Sequence, residues 1–454
     1  MCFLMSIRGL RTIILGAVLA MAAASAERLA PTPPMGWNSW DAYGLTINEA
    51  QFRANAQVLV GLKSDGWNYA VVDEGWYFED SQARPEARKS SWDSNGRLIP
   101  DMTRFPSAAN GAGFKPLANW THSQGLKFGI HIVRGIPKGV VSDNLPVADS
   151  GFHAAEVADT SDLCPWDNGN YGVRDNAAGQ AFYDSTIRLY ARWGVDFLKV
   201  DCIADHPYKG AEIRMIAKAI EKSRRPIVLS LSPGPTDLSH AAAVAEYSQM
   251  WRIADDIWDG WDFHAGQFPN GIISAFDNLA KWAKFAKPGN WPDADMLPWG
   301  SLTPHPGWGQ PRQSRITQDE ERTQFALWAI SRSPLILGAN LTRLDEFTRS
   351  LIANKEIIAI DQTAVSSAQI PGDPADSMHI RIWLAETAGR RPKRYLAVFN
   401  LQETALERDL AWPAPLKGSA HAVYEIWSRR SVPAAAALHV GLPPHGCAVF
   451  RIEQ

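Results

Sequence analysis

From Pro33 to about Gln362, short apolar runs alternate with segments whose apolar residues recur every three to four positions. The runs are Met35–Trp40, Tyr69–Val72, Lys127–Val133, Phe197–Val200, Ile227–Leu231, Met250–Ile253, Asp295–Leu297 and Pro334–Leu337. Runs this short with β-branched or aromatic members read as buried strands. The intervening periods read as helices: Phe52, Ala56, Leu59; Ile187, Tyr190, Ala191; Ile213, Ile216, Ala217, Ile220; and Phe325, Trp328, Ala329. Gly66, Gly125 and Gly194 follow three of these periods and suit the left-handed position that ends a helix. Eight strand–helix repeats in about 330 residues is the arithmetic of a (β/α)8 TIM barrel. A doubly wound sheet would alternate similarly, but no GxGxxG follows the first strand.

After Gln362 the period changes. A stretch at 363–376 with Pro371, Gly372 and Pro374 reads as a junction. Beyond it, alternating runs at Met378–Trp383, Tyr395–Leu401, Ala422–Trp427, Ala436–Val440 and Ala448–Ile452 predict a small antiparallel β-sandwich. The expected domains are therefore a barrel at 27–365 and a sandwich at 366–454. The first 26 residues read as a secretory signal, with Arg8 and Arg11, an apolar Thr12–Leu19 stretch, and a small-residue site at Ala24-Ser25-Ala26. Export to a periplasm or the exterior is expected, with cleavage near Ala26. No run approaches the roughly 18 apolar residues of a membrane span.

The net charge, 45 − 48 = −3, shows no basic excess and argues against nucleic acid as partner. There are 19 Trp against 10 Tyr and 17 Phe. Most are read as core, and a few as platforms for sugar rings. Without the signal, three cysteines remain, Cys164, Cys202 and Cys447, enough for one disulfide and one free thiol. No CxxC or HExxH occurs, so no metal site is expected. Nothing in the sequence sets the oligomeric state.

Reactive groups of a (β/α)8 barrel sit where its strands end. That rule selects Trp40 and Asp41, Asp73 and Glu74, His131 and Arg134, Lys199 and Asp201, Ser230 and Ser232, and Arg252 with Asp255 and Asp256. Any one acid among them serves equally well as a helix cap or a salt-bridge partner; as a set on one rim they point to chemistry. Asp201 ends a buried strand with Lys199 two residues earlier on the same face, and a nearby ammonium keeps a carboxylate ionised. Asp255 or Asp256 supplies a second carboxylate. Two carboxyls about a sugar bond are the machinery of glycoside hydrolysis.

Several motifs make the resemblance specific. Pro34-Met35-Gly36-Trp37-Asn38-Ser39-Trp40, Gly125–Ile130, Gly194–Asp201, Trp291-Pro292-Asp293-Ala294-Asp295-Met296-Leu297 and Ser333–Gly338 resemble, in order, glycoside hydrolase family 27, the α-galactosidase and α-N-acetylgalactosaminidase family. The resemblance implies a retaining glycosidase without cofactor. It places the nucleophile on Asp201 and the acid/base on Asp256, four residues after Arg252, with burial and its neighbouring carboxylate raising the latter's pKa. Trp40 would stack on the sugar, Lys199 and Arg252 would hold hydroxyls, and Asp73 and Glu74 would grip the far edge of the ring. It also implies a Cys164–Cys202 disulfide, leaving Cys447 free.

Departures from the family pattern bear on substrate. Asp73-Glu74-Gly75 stands where the α-galactosidases carry Asp-Asp and then Cys. Glu74 is one methylene longer, and a glutamate here resembles the β-L-arabinopyranosidases, whose sugar is galactose without its hydroxymethyl group. His131 replaces a usual tyrosine, and Ser232 replaces the α-galactosidases' glutamate beside C2, leaving the room that an acetamide needs. The segment 135–167 is expected to cover the pocket. The expected activity is an exported α-galactosidase acting on galactose-containing oligosaccharides or polysaccharides. The alternatives are a β-L-arabinopyranosidase, an α-N-acetylgalactosaminidase, or a secreted carbohydrate-binding protein without catalysis.

Overall fold

The computed structural model describes residues 29–453 apart from 85–86, 264–267, 304–309, 372–377, 391, 414–415, 417–421 and 434. The expected signal segment lies outside the described residues, as do Gly372 and Pro374 of the expected junction. Eight parallel strands form one curled sheet: β1 (Met35–Asn38), β2 (Tyr69–Val72), β3 (Lys127–Val133), β4 (Phe197–Asp201), β5 (Val228–Leu231), β6 (Met250–Arg252), β7 (Trp291–Asp293) and β8 (Leu335–Leu337). From β1 to β7 each strand is paired with the next in sequence, and β8 pairs with β1. Gly36 allows the close approach of β1 to β2, since a Cβ there would lie 2.2 Å from the Tyr69 carbonyl oxygen.

The seventh strand departs from expectation. Its ladder with β6 is made by Trp291–Asp293 rather than Asp295–Leu297. Asp295 takes a left-handed φ of 90°, which breaks the extended chain. Leu297 then closes the barrel alone, bridging to Leu337 and donating its N–H to the Ile336 carbonyl at 2.8 Å.

Between successive strands run α1 (Glu49–Val60), α2 (Lys115–Ser123), α3 (Ala177–Trp193), α4 (Gly210–Ser223), α5 (Ala241–Tyr247), α6 (Ile273–Trp282) and α7 (Gln318–Ser331). α1 starts at a reciprocal cap: the Gln51 backbone N–H donates to Asn48 Oδ1, and the Asn48 backbone N–H donates to Gln51 Oε1. It buries Phe52, Ala56 and Leu59. α3 stops at Gly194, with φ 92°. Among the described residues twelve tryptophans are buried, Trp37, Trp67, Trp76, Trp193, Trp251, Trp258, Trp261, Trp282, Trp291, Trp299, Trp328 and Trp383, so well over half of the 19 are interior.

The segment after β3 is folded in its own right. Strands Ile136–Pro137, Ala158–Leu163 and Asn170–Val173 form a small antiparallel sheet. Two ties bind it to the end of β4. One is the disulfide Cys164–Cys202. The other is Arg134, which pairs with Asp162 and Glu212 at 2.8 Å each and donates to the Cys202 carbonyl at 2.6 Å. Arg134 is therefore committed to this joint and is not among the residues lining the cavity described below.

The second domain has a six-stranded antiparallel sheet of β9 (Ala364–Ile370), β10 (Ile380–Thr387), β11 (Arg394–Asn400), β13 (Ala422–Glu425), β14 (Arg430–Val432) and β16 (Cys447–Glu453). Facing it is a two-stranded sheet of β12 (Leu406–Ala411) and β15 (Ala437–Leu442). β9 occupies part of the expected junction. One face encloses Leu396, Val398, Val440 and Phe450, while Trp383, Phe399 and Val449 on the other join the barrel core. α7 fastens the two domains: Thr323 Oγ1 donates to the His445 carbonyl at 2.6 Å, and Glu320 meets the His445 ring at 2.7 Å. Cys447 is unpaired, and burial pushes its thiol up to about 12.

Candidate active site

The C-terminal ends of the barrel strands open into a cavity of about 1490 Å³. Seven of the nine expected site residues outside the disulfide line it: Trp40, Asp73, Glu74, Lys199, Asp201, Ser232 and Asp256. Alternation along β4 turns Lys199 and Asp201 to one face. Trp40 begins a short helix after β1 rather than ending that strand, and its backbone N–H is held by Asn38 Oδ1 at 2.8 Å.

Asp73 anchors the floor. Its Oδ2 accepts from Asn38 Nδ2 at 2.6 Å and from Lys199 Nζ at 3.0 Å, and its Oδ1 accepts from the Glu74 N–H at 2.8 Å. Burial alone would raise this carboxyl's pKa, but Lys199, His131, the Glu74 N–H and Asn38 outweigh it and hold Asp73 far below the carboxylate range. Burial likewise opposes charge on Lys199, and Asp73, Asp201 and Asp256 overturn that, so it stays an ammonium. Burial opposes ionisation of Asp201 too. The His131 ring, Lys199 and the Cys202 N–H, 2.8 Å from Oδ1, prevail and lower its pKa. The result is an ionised carboxylate facing the cavity.

Glu74 behaves in the opposite way. Burial, then the charges of Asp167, Asp201 and Asp73, lift its pKa well above the ordinary value against the pull of Lys199. Glu74 is thus harder to ionise than its two carboxylate neighbours, as like charges at close quarters require.

Two expected sugar contacts are placed differently. His131 is wholly enclosed and stands behind Asp201, its Nε2 3.6 Å from Oδ2. It acts on the carboxylate and does not face the cavity, because it sits within β3, two residues short of the strand's end. Arg252 lies beneath the cavity, held by Asp295 at 2.8 Å, Asp256 at 3.2 Å and the Ala254 carbonyl at 3.0 Å. Its charge is taken up by these partners and is not offered to hydroxyls.

Asp256 is one-third exposed rather than buried as expected. The carboxyl raised by burial and by Asp256 is that of Asp255. Asp256 is oriented from two sides by Asp295, whose Oδ1 holds Arg252 and whose Oδ2 accepts the N–H of Ile257 at 2.7 Å. Burial pushes Asp295 up to about 7 despite Arg252, with Asp256 and Asp293 adding to it. Asp295 was legible only as part of a motif; the turn at its left-handed backbone is what sends it inward. Asp41 is also buried, with Oδ2 unpartnered, and burial followed by Asp295 and Asp256 raises its pKa well above normal. Trp258, two residues beyond Asp256, lines the cavity as well, an aromatic the sequence reading did not single out. Among the described residues no group of three or more His, Cys, Asp or Glu side chains could hold a metal ion, and no helix is long and apolar enough to cross a membrane.

A parallel barrel with paired acids at its rim and a β-sandwich behind it defines a class of glycoside hydrolases. This chain belongs to glycoside hydrolase family 27. Residues 32–140 and 166–363 match the α-galactosidase A family, and 378–452 match the α-galactosidase C-terminal β-sandwich domain. The stretch between the two barrel matches, 141–165, lies within the folded segment after β3. The chain is similar to α-galactosidase A of Cellvibrio japonicus, at 27% identity over 97% of each chain. It is also similar to the crystal structure of a β-L-arabinopyranosidase from Geobacillus stearothermophilus, with TM-score 0.87 and 38% identity over 94% of this chain and 97% of that one. An aspartate-to-alanine variant of that enzyme, in complex with arabinose, aligns at TM-score 0.86 and 39% identity over 94% and 98%. A Bacillus halodurans structure provisionally assigned as an α-N-acetylgalactosaminidase aligns at TM-score 0.80 and 37% identity over 94% and 99%.

Proposed function

We propose that this glycosidase is a retaining β-L-arabinopyranosidase, which reverses the order expected from sequence alone. The reading is carried by Glu74, which reaches into the cavity beside Asp73 and Asp201 where the α-galactosidases of the family have a shorter acid. The greater likeness to the arabinopyranosidase than to the α-galactosidase supports it. Glu74 fills the room that a hydroxymethyl group would need and hydrogen-bonds the remaining ring edge.

In the proposed reaction Asp201, ionised, attacks the anomeric carbon, and Asp256 protonates the departing oxygen. A covalent glycosyl-enzyme forms, and Asp256 then takes a proton from the water that releases the sugar. Lys199 and Asp73 hold sugar hydroxyls while His131 and Arg252 keep the two carboxylates in place. The terminal sugar stacks on Trp40. No cofactor enters. The protein is exported, as its N-terminal residues suggest, where an oxidising compartment maintains Cys164–Cys202. A second reading, an α-N-acetylgalactosaminidase, is favoured by the small Ser232 on the cavity wall. Comparing kcat/KM on nitrophenyl β-L-arabinopyranoside, α-D-galactopyranoside and N-acetyl-α-D-galactosaminide separates these readings.

A further inference from the structure

The cavity is larger than a terminal sugar requires. Pockets of about 300–1,000 Å³ enclose entire drug-sized ligands, whereas this one measures about 1490 Å³. Its inner end is the set of acids described above. Its outer wall differs in chemistry, and it comes from the loops after β2 and β3.

Trp92 and Trp166 stand on that wall, and Phe268, from the loop after β6, lines the cavity too. Trp166 is 48% and Phe268 55% exposed, and no other described Trp, Phe or Tyr is exposed to that degree. Exposed aromatic faces confined to one cavity suit stacking against sugar rings. Trp92 is fixed in place: a Cβ on Gly139 would come within 2.4 Å of its ring, and Trp92 bridges to Leu98 in its own loop. Trp166 follows Cys164 closely, so the disulfide ties its segment to the end of β4.

Beside the aromatics lie Arg88, Lys89 and Lys138. Among the described residues none of the three is in an ion pair; Arg88 lies over the Phe78 ring and Lys138 over the Tyr171 ring. Two acids share the wall, Glu79 and Asp167, and Asp167 Oδ1 is occupied by the Gly169 N–H at 2.8 Å. The cations outnumber them, and cations without carboxylate partners in a cleft attract anions.

We infer that this outer half is an aglycone site for an oligosaccharide carrying a uronic acid, whose rings stack on Trp92 and Trp166 and whose carboxylate meets Lys138 and Lys89. The inference rests on the proposed arabinopyranosidase reading only for the identity of the terminal sugar.

The test uses three substrates with one terminal sugar: the glycosyl fluoride, which leaves the outer half empty, a neutral oligosaccharide, and the same oligosaccharide with a uronate. The expected order of kcat/KM is uronate over neutral by about tenfold at low salt, with both oligosaccharides above the fluoride when each is normalised to its non-enzymatic rate. The uronate advantage shrinks toward one as salt screens the pair. Lys138→Ala and the exposed Lys89→Ala each lower the uronate-to-neutral ratio, a quantity that partial misfolding does not move, and Lys138→Arg restores it. Equal rates on the two oligosaccharides, or a ratio indifferent to salt and to both variants, overturn the inference. The terminal sugar is tested separately: if α-D-galactosyl fluoride is the better fluoride, the arabinopyranosidase reading fails, and the same trio built on galactose still decides the outer site.

Discussion

Asp295 holds Arg252 at 2.8 Å with one carboxylate oxygen and the backbone N–H of Ile257 at 2.7 Å with the other. Asp256 lies between these two anchors, bonded to Arg252 and preceding Ile257 in the chain. The acid/base proposed for this enzyme is thus positioned by a second aspartate from the next strand segment, which touches no part of the open cavity.

Asp295→Asn keeps the shape but removes the charge that holds Arg252. We expect kcat to fall by about ten- to a hundredfold with KM changed much less, since a 1 Å misplacement of a reacting group costs on that order. The pH–rate profile of the variant should also lose or shift its basic limb. A kcat within twofold of wild type with an unmoved profile would show that Arg252 alone orients Asp256.

Asp201→Asn should lower kcat to below about a hundredth of wild type while leaving far-UV circular dichroism and the melting curve intact, because the loss of an essential group costs several kcal/mol of transition-state stabilisation. Since Asp201 has a lowered pKa, its ionisation should not limit activity at mildly acidic pH. A proton-NMR time course on the wild type should show the first-released sugar with the same anomeric configuration as the substrate, in keeping with a covalent intermediate.

Stability should fall as pH rises from about 4 to 7. Asp295 and Glu321 are both pushed up to about 7 by burial, so between their unfolded and folded values the native state binds protons that the unfolded chain has released. Their contribution is full below the unfolded pKa and is lost through the folded one. Asp73 and Asp201, lowered, act only below that window: their contribution is lost as pH falls through their folded values. Glu321 hydrogen-bonds Thr348 at 3.0 Å, far from the catalytic groups in sequence and outside the cavity lining. Glu321→Gln should therefore flatten the slope of Tm against pH between 4 and 7. An identical slope would deny it that role.

Reducing the Cys164–Cys202 bond, or replacing both residues with serine, should destabilise the protein by about 2–4 kcal/mol. The bond closes a loop of sequence separation 38 and reaches the residue after Asp201. We expect a rise in KM as well, measurable on any aryl glycoside. An unaltered KM would mean that Arg134 with Asp162 and Glu212 holds the loop by itself.

Much of the barrel was legible because buried parallel strands leave continuous apolar runs, and seven of the eight run where those runs lie. β7 was displaced because periodicity registers apolar residues, not the left-handed turn at Asp295 that ends the ladder. β12, Leu-Glu-Arg-Asp-Leu-Ala, escaped notice because it pairs with a single strand and turns most of its side chains to solvent. At the rim, residue type and strand position led to Asp73, Glu74, Lys199, Asp201, Ser232 and Asp256. They could not tell which groups face the cavity and which stand behind. Arg134, His131 and Arg252 are all claimed by partners distant in sequence, Asp162 and Glu212, Asp201, and Asp295, and only folding brings these together.

The central claim turns on Glu74, and the most direct measurement is the ratio of kcat/KM for nitrophenyl β-L-arabinopyranoside to that for nitrophenyl α-D-galactopyranoside, on wild type and on Glu74→Asp. The account predicts a ratio above one for the wild type, falling by about ten- to two-hundredfold in the variant, the range one methylene is worth in a binding pocket. A wild-type ratio below one, or a ratio that Glu74→Asp leaves in place, would contradict it.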